Sequence, residues 1–349
     1  MTEIRPLLCN LANVEPIQVW PEQLVNKHQV NKRQGIDLSG DWDTLGETVR
    51  DGYIYKAFLK RLNGSDWKDT LLYKRKYKKG ERWLKKLKVW DQMLKDIVEN
   101  GYVHRPIKDP IDNYMSILIG RNGHMFIYNG IHRFVCCLLS KVETKIPVKV
   151  LARHDEWSTF RNNCIAYQKR RGKLYAQLPH PDLEHIPYYW TNERAELIAE
   201  NSLSQGGFVV DVGAHWGTTS SVLASKGFDC MAVEKSKSHF NRLYKISQFP
   251  NASFTAVLGD VTKSDLGGTI VMLNFAHHFT TSKVKLNQLI QFLERLSAKE
   301  IFYQAHRTDD KWAPFMLPSE MLSLIGLKSG LRQFKELKTF NGRTLYHLY

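Results

Sequence analysis

The stretch that most constrains this chain is residues 209–220, VVDVGAHWGTTS, where a short apolar run ends in an acid and passes through a glycine-spaced turn into a helix. Val209, Val210 and Val212 carry the β-branching that suits a strand. Gly213 and Gly217 permit a tight turn and a close approach of backbone to ligand, and helical sequence resumes around Ser220 to Ala224. A strand ending this way delivers a small cofactor to a helix N-terminus. One glycine pattern is weak evidence alone, so the order of the surrounding elements must support it.

That order does. A second apolar strand, CMAVE, ends in Glu234, where an open α/β sheet places a carboxylate to accept both ribose hydroxyls of an adenosine-containing cofactor. A third, residues 254–258, is followed by Gly259 and Asp260; a fourth, residues 269–275, by His277 and His278; a fifth spans residues 300–306. Helical stretches at 240–247 and 285–297 separate them. Such alternation predicts an α/β fold with a parallel sheet, helices on both faces and ligands at the carboxyl edge.

From about residue 206 onward these marks, in this order, resemble a class I S-adenosylmethionine-dependent methyltransferase with a Rossmann-like sheet. The resemblance implies S-adenosyl-L-methionine as cofactor, held by Asp211, Gly213, Ala214, Gly217, Glu234 and Asp260. Asp211 would orient the loop and the cofactor's amino-acid end, Glu234 would accept from the ribose, and Asp260 or the Val261 amide would read the adenine edge. A nicotinamide-binding domain competes for the first loop, but its G-x-G-x-x-G spacing is not met, because His215 stands where a second glycine belongs. Asn274 would lie where the methyl points. His277 or His278 would be general base for a hydroxyl acceptor, with Gln304 and His306 as second candidates. The plainer reading is that the paired histidines cap the turn after the strand; without a carboxylate set they make a poor metal site, and no metal is expected. LNFAHHF lacks the N-P-P-Y or D-P-P-Y form of enzymes that methylate amino groups of DNA bases, and resembles enzymes acting on small molecules, sugars or tRNA wobble positions.

Upstream, residues 114–150 read as two strands around a turn at Asn122 and Gly123, then NGIHR leading into an apolar helix, then a returning strand, IPVKVL. This resembles the ParB-like and sulfiredoxin-like nucleotide-binding fold. Gly130, Ile131, His132 and Arg133 stand where helix amides are unpaired, and a guanidinium fork there suits a phosphate, so Gly130, His132 and Arg133 are candidate phosphate ligands. The bland alternative is a turn whose basic residues bind a neighbouring carboxylate. The arrangement as a whole, with GDWD at residues 40–43, NGIHR, RHDEW and HPDL before the methyltransferase marks, resembles two-part proteins joining a ParB-like and a methyltransferase domain.

The chain's 349 residues and 43% hydrophobic content are enough for two cores. The expected division is 1–105 as a helical extension, 106–174 as the ParB-like α+β domain with its following helix, 175–205 as a connector and leading helix, and 206–349 as the methyltransferase. Within the connector, His180, Pro181 and Asp182 read as a rigid turn or a lid. Five cysteines, Cys9, Cys136, Cys137, Cys164 and Cys230, show no C-x-x-C spacing and read as buried thiols in a reducing compartment. With no long apolar run and no signal-peptide pattern at its start, a soluble, cytoplasmic protein without membrane contact is expected.

The net charge of +15 permits either nucleic acid or a phosphorylated small acceptor such as a nucleotide-sugar. Residues 73–90 are the most basic stretch, interleaving Tyr73, Tyr77, Trp83 and Trp90 with Lys74, Arg75, Lys76, Lys78, Lys79, Arg82, Lys85, Lys86 and Lys88. The favoured reading is the solvated face of an amphipathic helix that buries Trp83, Leu84, Leu87 and Trp90; a surface that tracks a phosphate backbone is the alternative. The sequence thus points to a methyltransferase acting on a small or phosphate-bearing acceptor, with a nucleotide-binding N-terminal domain. Two alternatives stand beside it: a nucleic-acid modification enzyme, and a ParB-like nucleotide-binding or kinase-type module whose methyltransferase half is regulatory.

Overall fold

A computed structural model of the chain describes residues 4–5, 16–19, 24–25, 36–43, 48–76, 80–103, 115–250, 254–307 and 316–349. Cys9, Tyr77, Lys78 and Lys79, named above, lie outside the described residues. The chain divides into two compact units, Met1–Ala166 and Tyr167–Tyr349.

In the first unit, β1 (Ile4–Arg5) pairs with β4 (Ile36–Asp37), while β2 (Ile17–Val19) and β3 (Leu24–Val25) join a larger sheet. Then come α1 (Tyr53–Leu62), α2 (Leu71–Lys76), α3 (Glu81–Asn100), β5 (Met115–Ile119), β6 (Met125–Asn129), α4 (Ile131–Leu139) and β7 (Ile146–Arg153). The sheet is mixed, in the order β2-β7-β5-β6-β3. Residues before 105, expected to be a helical extension alone, therefore also supply strands, too short to show a period in the sequence. On α3 the buried residues are Trp83, Leu87, Leu94 and Ile97, spaced for one helical face. Leu84, expected among them, is instead exposed, since it falls beside that stripe. Helix α5 (Asp155–Arg171) runs through the division between units.

The second unit begins with β8 (Leu174–Ala176) and β9 (Tyr188–Trp190), a parallel pair in the segment expected to be a plain connector. His180 and Asp182 are buried there, and the His180 ring accepts the Asp182 amide at the start of a single 3-10 turn. There follow α6 (Glu193–Asn201), β10 (Phe208–Val212), α7 (Thr218–Ser225), β11 (Asp229–Glu234), α8 (Lys237–Ile246), β12 (Thr255–Leu258), β13 (Gly267–Leu273), α9 (Lys283–Glu294), β14 (Ser297–Gln304), α10 (Pro318–Ser329), β15 (Phe334–Phe340) and β16 (Arg343–Leu348).

The Rossmann-like α/β sheet expected here is present, in the order β12-β11-β10-β13-β14-β16-β15. The first five strands are mutually parallel. Val210, Val212, Ile270, Met272, Ile301 and Tyr303 join a core with α9 and α10. Their strand neighbours, among them Val209, Val271 and Phe302, are equally buried, so both faces are covered and the strands read as continuous apolar runs. The chain lays strands outward from β10 to β12 and then returns to β13 on β10's other side. That reversal makes a switch point between β10 and β13, where such sheets bind ligands.

The antiparallel hairpin of β15 and β16 was not part of the five-strand expectation. Asn341 and Gly342 join its strands with φ of 50° and 75°, the two left-handed residues that a type I′ turn requires. The fourth strand ends at Leu273, two residues early, because Asn274 adopts a φ of 52°, a conformation asparagine tolerates but a strand cannot contain. No helix among the described residues is long and apolar enough to cross a membrane. The four described cysteines are all buried.

Candidate functional site

At the switch point of the second unit a cavity of about 710 Å³ opens, lined by Gly213, Glu234, Asp260, Asn274, His277 and His278 among others. These six expected site residues come from four strand ends and share one space. Glu234, at the end of β11, is only 9% exposed. Its two carboxylate oxygens accept the backbone amides of His215 at 2.9 Å and Ser236 at 2.7 Å. The glycine turn and the second strand end are thus tied together, and each carboxylate oxygen keeps a second lone pair for a ligand.

The turn itself is held from behind. The amides of Gly213 and Ala214 both donate to the Val233 carbonyl, and the Gly217 amide donates to the Ala214 carbonyl. Gly213 has a φ of 70°, and a Cβ there would lie 2.9 Å from the Phe275 ring. At Gly217, with φ 75°, a Cβ would lie 2.6 Å from Phe254 and closer still to Leu243. His215, at the place of a missing second glycine, takes a φ of 56°. Its ring stacks on Trp216, 5.4 Å away, and burial first, then His239 and Arg242, push its pKa down to about 3.

Asp211, Ala214, Gly217 and His306 do not line the cavity. Asp211 is buried beneath the turn, accepting the Ser220 hydroxyl at 2.7 Å. Desolvation pushes its pKa up to about 6 against the opposing effects of Ser220 and Arg194. His306 is turned into the interior, its Nε2 2.9 Å from the Met316 carbonyl, and Gln304 accepts from Arg194 at 2.7 Å. Both fifth-strand candidates are occupied inside the protein, because the strand carrying them is covered on both faces. Asp260 pairs with Lys235 at 2.7 Å. Burial would raise its pKa, but Lys235 and the Thr262 hydroxyl and amide outweigh that and hold it below the usual carboxylate range. His278 sits at the exposed rim of the cavity. Desolvation first, then the charges of Lys285 and Arg343, keep its pKa below the ordinary imidazole value, which leaves it neutral and able to accept a proton near pH 7.

Three contributors had no motif to announce them. Tyr175 on β8 and Trp190 on β9 line the cavity, as does Arg343, the first residue after the type I′ turn. Asn274 is clamped between two of them: its Nδ2 donates to the Tyr175 hydroxyl and its Oδ1 accepts from Arg343 Nη1, both at 2.9 Å. Behind them Arg194, 4% exposed, lies with its guanidinium 4.1 Å from the Trp190 ring centroid.

The chemistry of this set fits an adenosyl cofactor. A glycine with no room for a side chain admits the ligand to the backbone, a strand-end carboxylate with spare lone pairs can take a diol, and the Gly259–Asp260 strand end lies beside it. The volume falls within the roughly 300–1,000 Å³ typical of small-molecule sites.

In the first unit a second cavity, about 440 Å³, is lined by Tyr53, Leu72, Arg82, Trp83, Lys86, Trp90 and His132, with Ile54. Of the candidate phosphate ligands only His132 lines it. Its ring stacks 4.0 Å from that of Trp90, and burial together with Lys86 pushes its pKa down to about 4. His132 is therefore a neutral aromatic wall and brings no charge to a phosphate. Gly130 holds a φ of 88° at the start of α4, packed against Met115.

No protein-family model and no curated protein matches the chain. Among solved structures, monomeric WbdD is similar at 17% identity and a TM-score of 0.43, over 54% of this chain and 48% of that one. A structure described as the bifunctional kinase-methyltransferase WbdD gives 15%, 0.43, 54% and 45%. Magnesium protoporphyrin IX methyltransferase from Synechocystis PCC 6803, with bound SAH, gives 16% and 0.35, over 45% of this chain and 79% of that one. This chain spans less than half the length of the WbdD chains it matches. Likenesses at these scores carry no functional inference.

Proposed function

We propose that the second unit is an S-adenosylmethionine-dependent methyltransferase acting on a small or phosphate-bearing acceptor such as a sugar or nucleotide-sugar. The observation that carries this reading is the Glu234 carboxylate, fixed by two backbone amides at the mouth of the glycine turn in the switch-point cavity. When bound there, the cofactor would supply an electrophilic sulfonium methyl.

The chain's own residues would do the rest. Gly213 and the end of β11 bind and orient the adenosine, with Asp260 and the Val261 amide at the adenine edge. Asn274, locked by Tyr175 and Arg343, fixes the wall at the reacting end. Neutral His278, with buried His277 beside it at a ring separation of 4.2 Å, takes the proton from an acceptor hydroxyl. Arg343 puts a positive charge at this end of the cavity, which favours negatively charged ligand groups there.

For the first unit, a nucleotide contact draws support from the aromatic cavity, in place of the loop at residues 130–133: Trp83, Trp90 and His132 wall it, and Arg82 and Lys86 offer cations to phosphates. Native mass spectrometry of the purified protein tests both halves. A retained adenosyl compound and a phosphorylated passenger are expected; a protein that holds neither, and takes up neither on addition, contradicts the reading. A steep loss of affinity with salt would instead indicate nucleic acid.

A further inference from the structure

Tyr175 is one of three cavity residues that the strand-end motifs leave unexplained. It sits on β8, its ring 4.5 Å from that of His215 in the glycine turn. Its hydroxyl oxygen accepts Nδ2 of Asn274 at 2.9 Å. The direction of that amide is set by Arg343, which donates to Asn274 Oδ1 at 2.9 Å. A guanidinium has no acceptor atom, so the amide oxygen must face Arg343 and the NH₂ must face the phenol. Among the described residues no group accepts the phenol's own proton.

A hydroxyl offers two lone pairs and one proton. With Asn274 on one lone pair, the phenol's proton is left for another acceptor, and Tyr175 lines the cavity. The phenol is thus a donor held beside the glycine turn by Asn274, in a wall that also carries Arg343. A donor next to a cation selects an anionic oxygen.

We propose that Tyr175 donates its hydroxyl proton to a carboxylate of the ligand in this cavity, with Asn274 holding the phenol from its acceptor side. On the methyltransferase reading, on which this inference rests, that carboxylate is the amino-acid end of the adenosyl cofactor, brought beside Tyr175 by the glycine turn.

Calorimetry on the full chain tests it with two probes, S-adenosylhomocysteine and 5′-methylthioadenosine, which share the adenosine but differ in the amino-acid end. Tyr175→Phe is expected to weaken S-adenosylhomocysteine about tenfold, as for loss of a hydrogen bond to a charged group, and to leave methylthioadenosine unchanged. Asn274→Gly accepts the positive φ, adds no charge and removes the group that holds the phenol. It should give a smaller loss, about threefold, again confined to S-adenosylhomocysteine. A melting curve on each variant establishes that it folds.

Equal S-adenosylhomocysteine affinity in the wild type and Tyr175→Phe overturns the assignment while leaving the methyltransferase reading intact. Equal losses for both probes also overturn it, because the effect would not be specific to the carboxylate. If the wild type binds neither probe, the methyltransferase reading falls and the inference falls with it.

Discussion

The two cavities of this protein are built from different material. At the edge of the seven-stranded sheet the surfaces are strand ends and a turn, and their key groups are fixed by the backbone: the Glu234 carboxylate rests on two amides, and the Gly213 and Ala214 amides on one carbonyl. In the first unit the cavity is walled by side chains from α1, α2, α3 and the start of α4, held by ring contacts such as Trp90 on His132 and Trp83 against Trp90 at 5.2 Å. A backbone-built site cannot yield at one residue without losing its geometry. A side-chain-built site can.

Substitution of a left-handed glycine in each unit should expose that difference most strongly. Gly217→Ala must hold a positive φ and drive a methyl into Phe254 and Leu243, costing about 4 kcal/mol when strain and overpacking combine. Gly130→Ala carries the same strain, but the atom it meets nearest is the Cγ of Met115, a pliant side chain, so about 2 kcal/mol is expected. Denaturant unfolding measures both, and equal costs would erase the contrast.

The units should also titrate in opposite senses. The pKa of buried Asp211 is raised to about 6, so its contribution to stability is complete below its unfolded value near 4 and is lost as pH rises through 6. Asp211→Asn should therefore gain about 3 kcal/mol relative to the wild type between pH 4 and 7. The pKa of His132 is lowered to about 4, so its contribution is present above about 6.5 and is lost as pH falls through 4. His132→Phe should gain relative stability toward acid, by a comparable amount. Stability differences that do not change with pH would contradict both environments.

Ligand affinities should separate the regions next. Glu234→Ala should weaken S-adenosylhomocysteine at least tenfold, through loss of hydrogen bonds to a charged group, without altering an ATP titration followed by tryptophan fluorescence. Arg82→Ala or Lys86→Ala should weaken ATP about threefold each, the scale of exposed charge contacts, and leave S-adenosylhomocysteine unchanged. Cross-effects of equal size would mean that the cavities do not act as separate sites.

The same contrast explains what could be read from the sequence. Gly213, Glu234 and Asp260 are visible because each follows an apolar strand directly, and parallel strands in register carry their ends to one edge. Tyr175 and Trp190 are invisible because they reach that edge on two three-residue strands, too short for any period to form. Arg343 had a signal in Asn341–Gly342, but β15 is an exposed, charged edge strand that conceals the hairpin. His306 sits at the correct strand end and still fails to reach the cavity, since its ring is turned into the core. In the first unit the error lay with His132. A basic residue at a helix start suggests an anion, yet burial first and then the charge of Lys86, contributed by residues distant in sequence, keep it neutral.

The most direct test of the central claim is a crystal structure of the protein with S-adenosylhomocysteine. The ribose hydroxyls should lie within hydrogen-bond distance of the Glu234 carboxylate, with the adenine at Asp260 and the amino-acid end at Gly213. A ligand bound elsewhere, or a Glu234 carboxylate that makes no contact with the ribose, would contradict it.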